Sequence, residues 1–257
     1  MTDQSVPTEA PILRVVDLHK SFTLHAIDGR DVVALDGVSI DVWPGEHVAL
    51  AGTSGAGKSS LLKCVFRTYL PSGGQVWFQP DHGEPVDLVQ LPDAELASLR
   101  EHQIGYVSQF LRAEPRRGVL DVVARAGLRR GMTRADAREA AADALRRVHI
   151  AESLWQTYPT LLSGGEKQRV NLAAGTIQPP RLLLLDEPVS ALDPANREAV
   201  LDLIADLTTK GVAVLAVFHD LDAMLRLASR VVLMRHGRVA DMGDPSTVLG
   251  AAPAVAS

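Results

Sequence analysis

The stretch Gly52-Thr53-Ser54-Gly55-Ala56-Gly57-Lys58-Ser59 constrains this chain more than any other. It follows the apolar run His47-Val48-Ala49-Leu50-Ala51, which reads as a buried strand. It precedes Ser60-Leu61-Leu62-Lys63-Cys64-Val65-Phe66, which reads as a helix with an apolar stripe. The pattern is G-x-x-x-x-G-K-[ST] in a strand–loop–helix setting. Glycines let the backbone turn back so that successive N–H groups point into one concavity. The helix dipole adds partial positive charge there, so a polyphosphate is the natural guest. The pattern predicts that Lys58 reaches the β- and γ-phosphates and that Ser59 offers its hydroxyl to Mg²⁺. A glycine-rich turn that matches by accident is the competing reading, and the flanking strand and helix weigh against it.

Composition narrows the class. At 257 residues the chain suits one large α/β domain, or a domain with a subdomain. Hydrophobic residues at 46% and charged residues at 22% are ordinary for a globular protein. A formal net charge of -5 argues against a nucleic-acid-binding surface, which is usually basic. A single cysteine, Cys64, permits no disulfide framework, implies a reducing compartment, and is expected as a small buried side chain. Met1 to Pro11 lacks the charged and apolar segments of a signal peptide, and no apolar run approaches a membrane span. A cytoplasmic protein without membrane insertion is expected.

In chain order, residues 1–10 read as a disordered lead-in. Strands are predicted at Ile12–Val16, Phe22–His25, Val32–Leu35 and Val38–Val42, with a turn over Asp28–Asp31. The alternation in the last of these marks a half-buried antiparallel strand. Phe22 is either core or an aromatic plate for a nucleotide base. Further strands are expected at Gln75–Phe78 and Ile104–Val107, with a short helix closing at Leu96–Arg100. From Gly118 to about Gln178 the pattern turns helical. Thr133 caps an Ala- and Arg-rich amphipathic helix running through Val148, whose Arg134, Arg138, Arg146 and Arg147 read as a solvated face. Leu182–Leu185 and Val212–Phe218 read as buried parallel strands, separated by a helix from Pro194 to about Thr209 that ends at Gly211. Val231–Met234 and Val239-Ala240 complete the core, and the tail from Ala251 is expected to fray.

Asp186-Glu187 follows four leucines. Acidic residues at the end of a buried strand lie next to the phosphate loop in a doubly wound sheet. Asp186 is suited to orient hydrated Mg²⁺, and Glu187 to polarise a water for in-line attack on a γ-phosphate. Leu162-Ser163-Gly164-Gly165-Glu166 opens a helix. A capping box between Ser163 and Glu166 accounts for part of it. The paired glycines are left over, and they leave N–H groups exposed at a second positive helix end.

With these motifs in this order, the chain resembles an ATP-binding-cassette (ABC) ATPase from about Ile12 to Met242. The sequence of features is the phosphate loop, Gln109, the Leu-Ser-Gly-Gly-Glu signature, Asp186-Glu187, Ser190-Ala191-Leu192-Asp193 and His219. The resemblance implies an α/β P-loop NTPase with a RecA-like core and an antiparallel β subdomain (residues 12–108 and 179–242). It also implies an inserted helical subdomain (109–178), all within one ATP-binding domain spanning 1–257. The implied ligands are ATP and Mg²⁺. Gly52, Ser54, Gly55, Gly57, Lys58, Ser59 and Ser60 would hold the phosphates, and Phe22 would stack on adenine. Ser59, Gln109 and Asp186 would serve the metal. Glu187, His219, Lys58 and Gln109 would be catalytic. Two cassettes would close head to tail, so that Ser163, Gly164 and Gly165 touch the γ-phosphate held by the other subunit, with Asp193 coupling the sites.

Within the family, Phe110-Leu111-Arg112, Pro115-Arg116, Tyr69-Leu70-Pro71, Leu154-Trp155 and Gln168-Arg169-Val170-Asn171 resemble the L-type ABC subunit of the bacterial phosphonate carbon–phosphorus lyase system. That resemblance implies the lyase core complex and either a second copy or the K-type ABC subunit as partners. Phe110 to Arg116 then reads as a partner contact or as a plain surface loop. The alternative expectation is the cytoplasmic ATPase of an ABC membrane transporter, of lipoprotein-release or small-solute type.

Overall fold

The structure, a computed structural model, describes residues 10–24, 30–108 and 117–250. The lead-in, the turn at Asp28-Gly29, Gln109, the Phe110–Arg116 segment and the tail from Ala251 lie outside or largely outside those residues.

Two sheets carry the fold. The first is four-stranded and antiparallel, in the order β2-β1-β4-β5. Its strands are β1 (Leu13–Leu24), β2 (Arg30–Val42), β4 (Gly73–Phe78) and β5 (Val86–Asp87). The sequence predicts two strands where β1 runs as one. Asp17 takes a left-handed φ of 47°, and the register with β2 slips around Leu18 and Lys20, which breaks the alternation without breaking the ladder. The two strands expected over Val32–Val42 likewise merge into β2. Val38, Ile40 and Val42 are buried there, as the alternation requires.

The second sheet has six strands in the order β10-β9-β3-β8-β7-β6. These are β3 (His47–Ala51), β6 (Ile104–Val107), β7 (Leu182–Asp186), β8 (Ala213–Val217), β9 (Arg230–Arg235) and β10 (Arg238–Gly243). All pairings are parallel except β9 with β10. Leu182 and Leu184 face one core, with the helix α1 (Lys58–Val65) and the antiparallel sheet; Leu183 and Leu185 face the other. Burial on both faces is why this strand reads as unbroken leucine.

Between β6 and β7 lie α3 (Val119–Arg129), α4 (Arg134–Arg147) and α5 (Gly164–Thr176). Thr133 caps α4 through the Asp136 N–H. Arg138 pairs with Asp121, and Arg146 with Asp143 and Glu152, all of them exposed. The remaining helices are α2 (Asp93–His102), α6 (Pro194–Thr209), α7 (Leu221–Leu227) and α8 (Pro245–Gly250). α7 and α8 were not expected, because at seven and six residues each is too short to display a helical period. No helix of the described residues is long and apolar enough to cross a membrane. Cys64 is buried on α1, and that burial pushes its thiol up to about 11.

His47 opens β3 inside this core. Neither ring nitrogen has a hydrogen-bond partner among the described residues, and the ring lies 5.7 Å from that of Phe218. Burial lowers its pKa to about 3. Below about pH 6.5 the unfolded chain takes up a proton that the folded chain refuses, so stability complete above that pH is lost as pH falls toward 3. Urea denaturation of wild type and His47→Leu at pH 7 and pH 5 measures this. Wild type is expected to lose about 2 kcal/mol more than the variant, and equal losses would contradict the assignment.

Candidate functional site

Strand register assembles the site. Leu50 on β3 lies opposite Val217 on β8, and Val217 lies opposite Asp186 on β7. Glu187, one residue past this row, and Gly52 and His219, two residues past it, are therefore brought to the carboxyl edge of the sheet, where open α/β sheets bind ligands.

The loop after β3 depends on two glycines. A Cβ at Gly52 (φ 136°) would lie 2.3 Å from the Met234 carbonyl oxygen, and one at Gly57 (φ 104°) would lie 2.4 Å from that of Ala34. Ser54 and Gly55 stand exposed at the rim. Gly57 precedes α1 with no side-chain cap, which leaves the first-turn N–H groups facing the concavity; Ser59 and Ser60 are in that turn. Lys58 is 5% exposed, and its Nζ donates to the carbonyls of Gly52 (2.6 Å) and Thr53 (2.9 Å). Burial pulls its pKa down, and the charges of Glu187 and Asp186 oppose that shift.

The Ser59 hydroxyl donates to Asp186 Oδ1 at 2.9 Å. Tyr106 supplies a second donor, its hydroxyl reaching Asp186 Oδ2 at 3.2 Å. Glu187 holds a left-handed φ of 55°, its N–H donating to the Val217 carbonyl at 3.1 Å. Its Oε1 lies 2.9 Å from His219 Nε2. One edge thus gathers a buried cation, a hydroxyl–carboxylate pair and a carboxylate–imidazole pair.

The other expected residues lie elsewhere. Ser163 caps α5 and forms the full capping box with Glu166, while Ser163 and Gly164 remain exposed. A Cβ at Gly165 would lie 2.8 Å from the Ala191 carbonyl oxygen, so this glycine is required by packing. No hydrogen bond among the described residues joins Ser163–Gly165 to the phosphate loop. Asp193 caps α6 through the Asn196 N–H and is exposed. Phe22 packs edge-on against Tyr69, ring centroids 5.1 Å apart, with Lys20 Nζ over its face at 4.7 Å. Gln109 is outside the described residues. Two polar contacts were not anticipated: Tyr106 to Asp186, and Gln168 Nε2 to the Glu187 carbonyl. Tyr106 is hidden within a strand-like run. Gln168 does carry a signal, as an amide one helical turn before the buried Leu172 on the same side of α5.

The profile of the ABC transporter family matches residues 35–190. The chain belongs to that family. It is an ATP-binding cassette that hydrolyses ATP. It is similar to the methionine import ATP-binding protein MetN of Thermobifida fusca, with 38% identity over 90% of this chain and 70% of that protein. It is also similar to the histidine/lysine/arginine/ornithine transport ATP-binding protein HisP of Salmonella typhimurium, with 32% identity over 93% and 92%. A solved dimeric, post-hydrolysis state of the ATP-binding cassette MJ0796 bound to ADP and Pi superposes with a TM-score of 0.82. That match has 26% identity and covers 91% of this chain and 98% of the other. These relatives favour the transporter expectation over the lyase subunit.

Gly57→Ala tests the cradle. The clash with the Ala34 carbonyl and the positive φ both oppose it, so the variant is expected to lose nucleotide binding and to melt several degrees lower. Wild-type affinity for a fluorescent ATP analogue would contradict the packing argument.

Proposed function

We propose that this cassette is the ATPase subunit of an ABC importer, working as a pair of cassettes against a membrane-embedded permease on its cytoplasmic side. The kinship with MetN and HisP supports the importer reading. The Glu187–His219 pair beside the phosphate loop carries the hydrolytic reading. In this reading residues 12–108 and 179–242 form the nucleotide-binding body and 109–178 the helical arm. The relatives favour a permease over the lyase complex as partner, and the Phe110–Arg116 segment, read from the sequence as a partner contact, is outside the described residues.

The chemistry follows from the residues. Lys58, held over the loop carbonyls, is free to exchange those acceptors for phosphate oxygens. Glu187 accepts a proton from the attacking water, and His219, sharing its Oε1, fixes the carboxylate and faces the γ-phosphate. The donors around Asp186 suit Mg²⁺, since Ser59 Oγ and a carboxylate are hard oxygen ligands. In this reading the ion would take its other ligands from water and phosphates. When bound, the ion would neutralise phosphate charge. Ser163, Gly164 and Gly165 of a second copy, or of another cassette, would close the nucleotide from the far side.

A general base is worth about 10²–10⁴ in rate, so Glu187→Gln is expected to lose that factor in phosphate release while still binding ATP. Lys58→Ala is expected to lose binding itself. Glu187→Gln turning over at the wild-type rate would remove Glu187 from its role. Purification from detergent-solubilised membranes tests the partner. An integral membrane subunit is expected to co-purify, and capture only with soluble lyase components would reverse the reading.

A further inference from the structure

We propose that Gln168 is a positioning residue that ties the signature helix α5 to the general base Glu187; this deepens the reading above and rests on it. Gln168 is 3% exposed, and its Nε2 donates to the Glu187 main-chain carbonyl. The Ser190 hydroxyl donates to the same oxygen at 3.2 Å. Glu187 sits at φ 55°, a conformation a non-glycine residue keeps only when its surroundings fix the adjoining peptides. Val217 fixes the peptide before it, and Gln168 and Ser190 fix the peptide after it. Rotation of that second peptide would swing the carboxylate away from His219.

The helix that carries Gln168 is held as a unit. Arg169 is buried, its Nη1 donating to the carbonyls of Val148 (2.8 Å) and His149 (2.6 Å). Asn171 Nδ2 donates to the Ser108 carbonyl at 2.8 Å, next to Gln109. At its start, Gly165 packs against Ala191 in the loop that follows Glu187. A displacement at Ser163–Gly165 therefore reaches Glu187 by two contacts, Gly165 with Ala191 and Gln168 with Glu187. Nucleotide held by the opposing cassette at Ser163–Gly165 biases the base of the other site through this helix.

Gln168→Met keeps the shape and removes the donor. Gln168→Asn keeps the amide but shortens its reach, and serves if the first fails to fold. Either is expected to lower kcat about 10–100-fold while the affinity for a fluorescent ATP analogue stays within about twofold and the melting temperature holds. Ser163→Ala added to Gln168→Met is expected to cost little beyond the larger single effect. A kcat within twofold of wild type, a parallel fall of kcat, affinity and melting temperature, or multiplied Ser163 and Gln168 effects would each overturn the proposal. Its failure differs from failure of the proposed function, which would show as wild-type protein binding no ATP at Lys58.

Discussion

The site depends on a single row of parallel pairing. Val217 lies between Leu50 and Asp186 across β3, β8 and β7, and that level sets where three loops begin. A one-residue slip of β7 would turn Asp186 to the opposite face and carry Glu187 away from His219. Such a slip would also exchange Leu183 and Leu185 with Leu182 and Leu184 between two differently shaped cores. Packing of uncharged leucines on both faces thus fixes the geometry of the charged edge.

At that edge, burial is balanced by local pairing. Lys58 and Asp186 are both nearly inaccessible, which is costly for charged groups left alone. Lys58 has two carbonyls and two nearby carboxylates; Asp186 has the hydroxyls of Ser59 and Tyr106. These contacts orient the groups before any ligand arrives, the condition under which electrostatic stabilisation is most effective. Glu187 adds backbone strain at the point where the chemistry is proposed, and hydrogen bonds on both flanking peptides hold it.

Much of this was legible in the residues. The pattern Gly52–Ser59 predicts the glycine-shaped loop between β3 and α1 that the structure forms, and the leucine run predicts a strand buried on both sides. Ser163 was read both as a cap and as a ligand; the capping box is formed, while Gly165 is held by packing against Ala191. The bulged continuity of β1 escaped notice because Asp17 interrupts the alternation at a residue whose left-handed turn has no sequence mark. Tyr106 and Gln168 escaped because each acts on a residue 80 and 19 positions away, and only the fold brings those together. The finer resemblance to a lyase component rests on a few short stretches such as Tyr69-Leu70-Pro71 and Leu154-Trp155, whereas the likeness to the import ATP-binding proteins runs over nine-tenths of the chain.

The central claim is that this sheet edge holds ATP phosphates at Gly55–Ser59, with the signature of an opposing cassette completing the enclosure. A crystal structure with a non-hydrolysable ATP analogue and Mg²⁺ tests it most directly. The account predicts the β- and γ-phosphates on Lys58 and the first turn of α1, the metal beside Ser59 and Asp186, and Ser163 of a second copy on the γ-phosphate. Nucleotide bound away from Lys58, or enclosed without any signature residue, would contradict it.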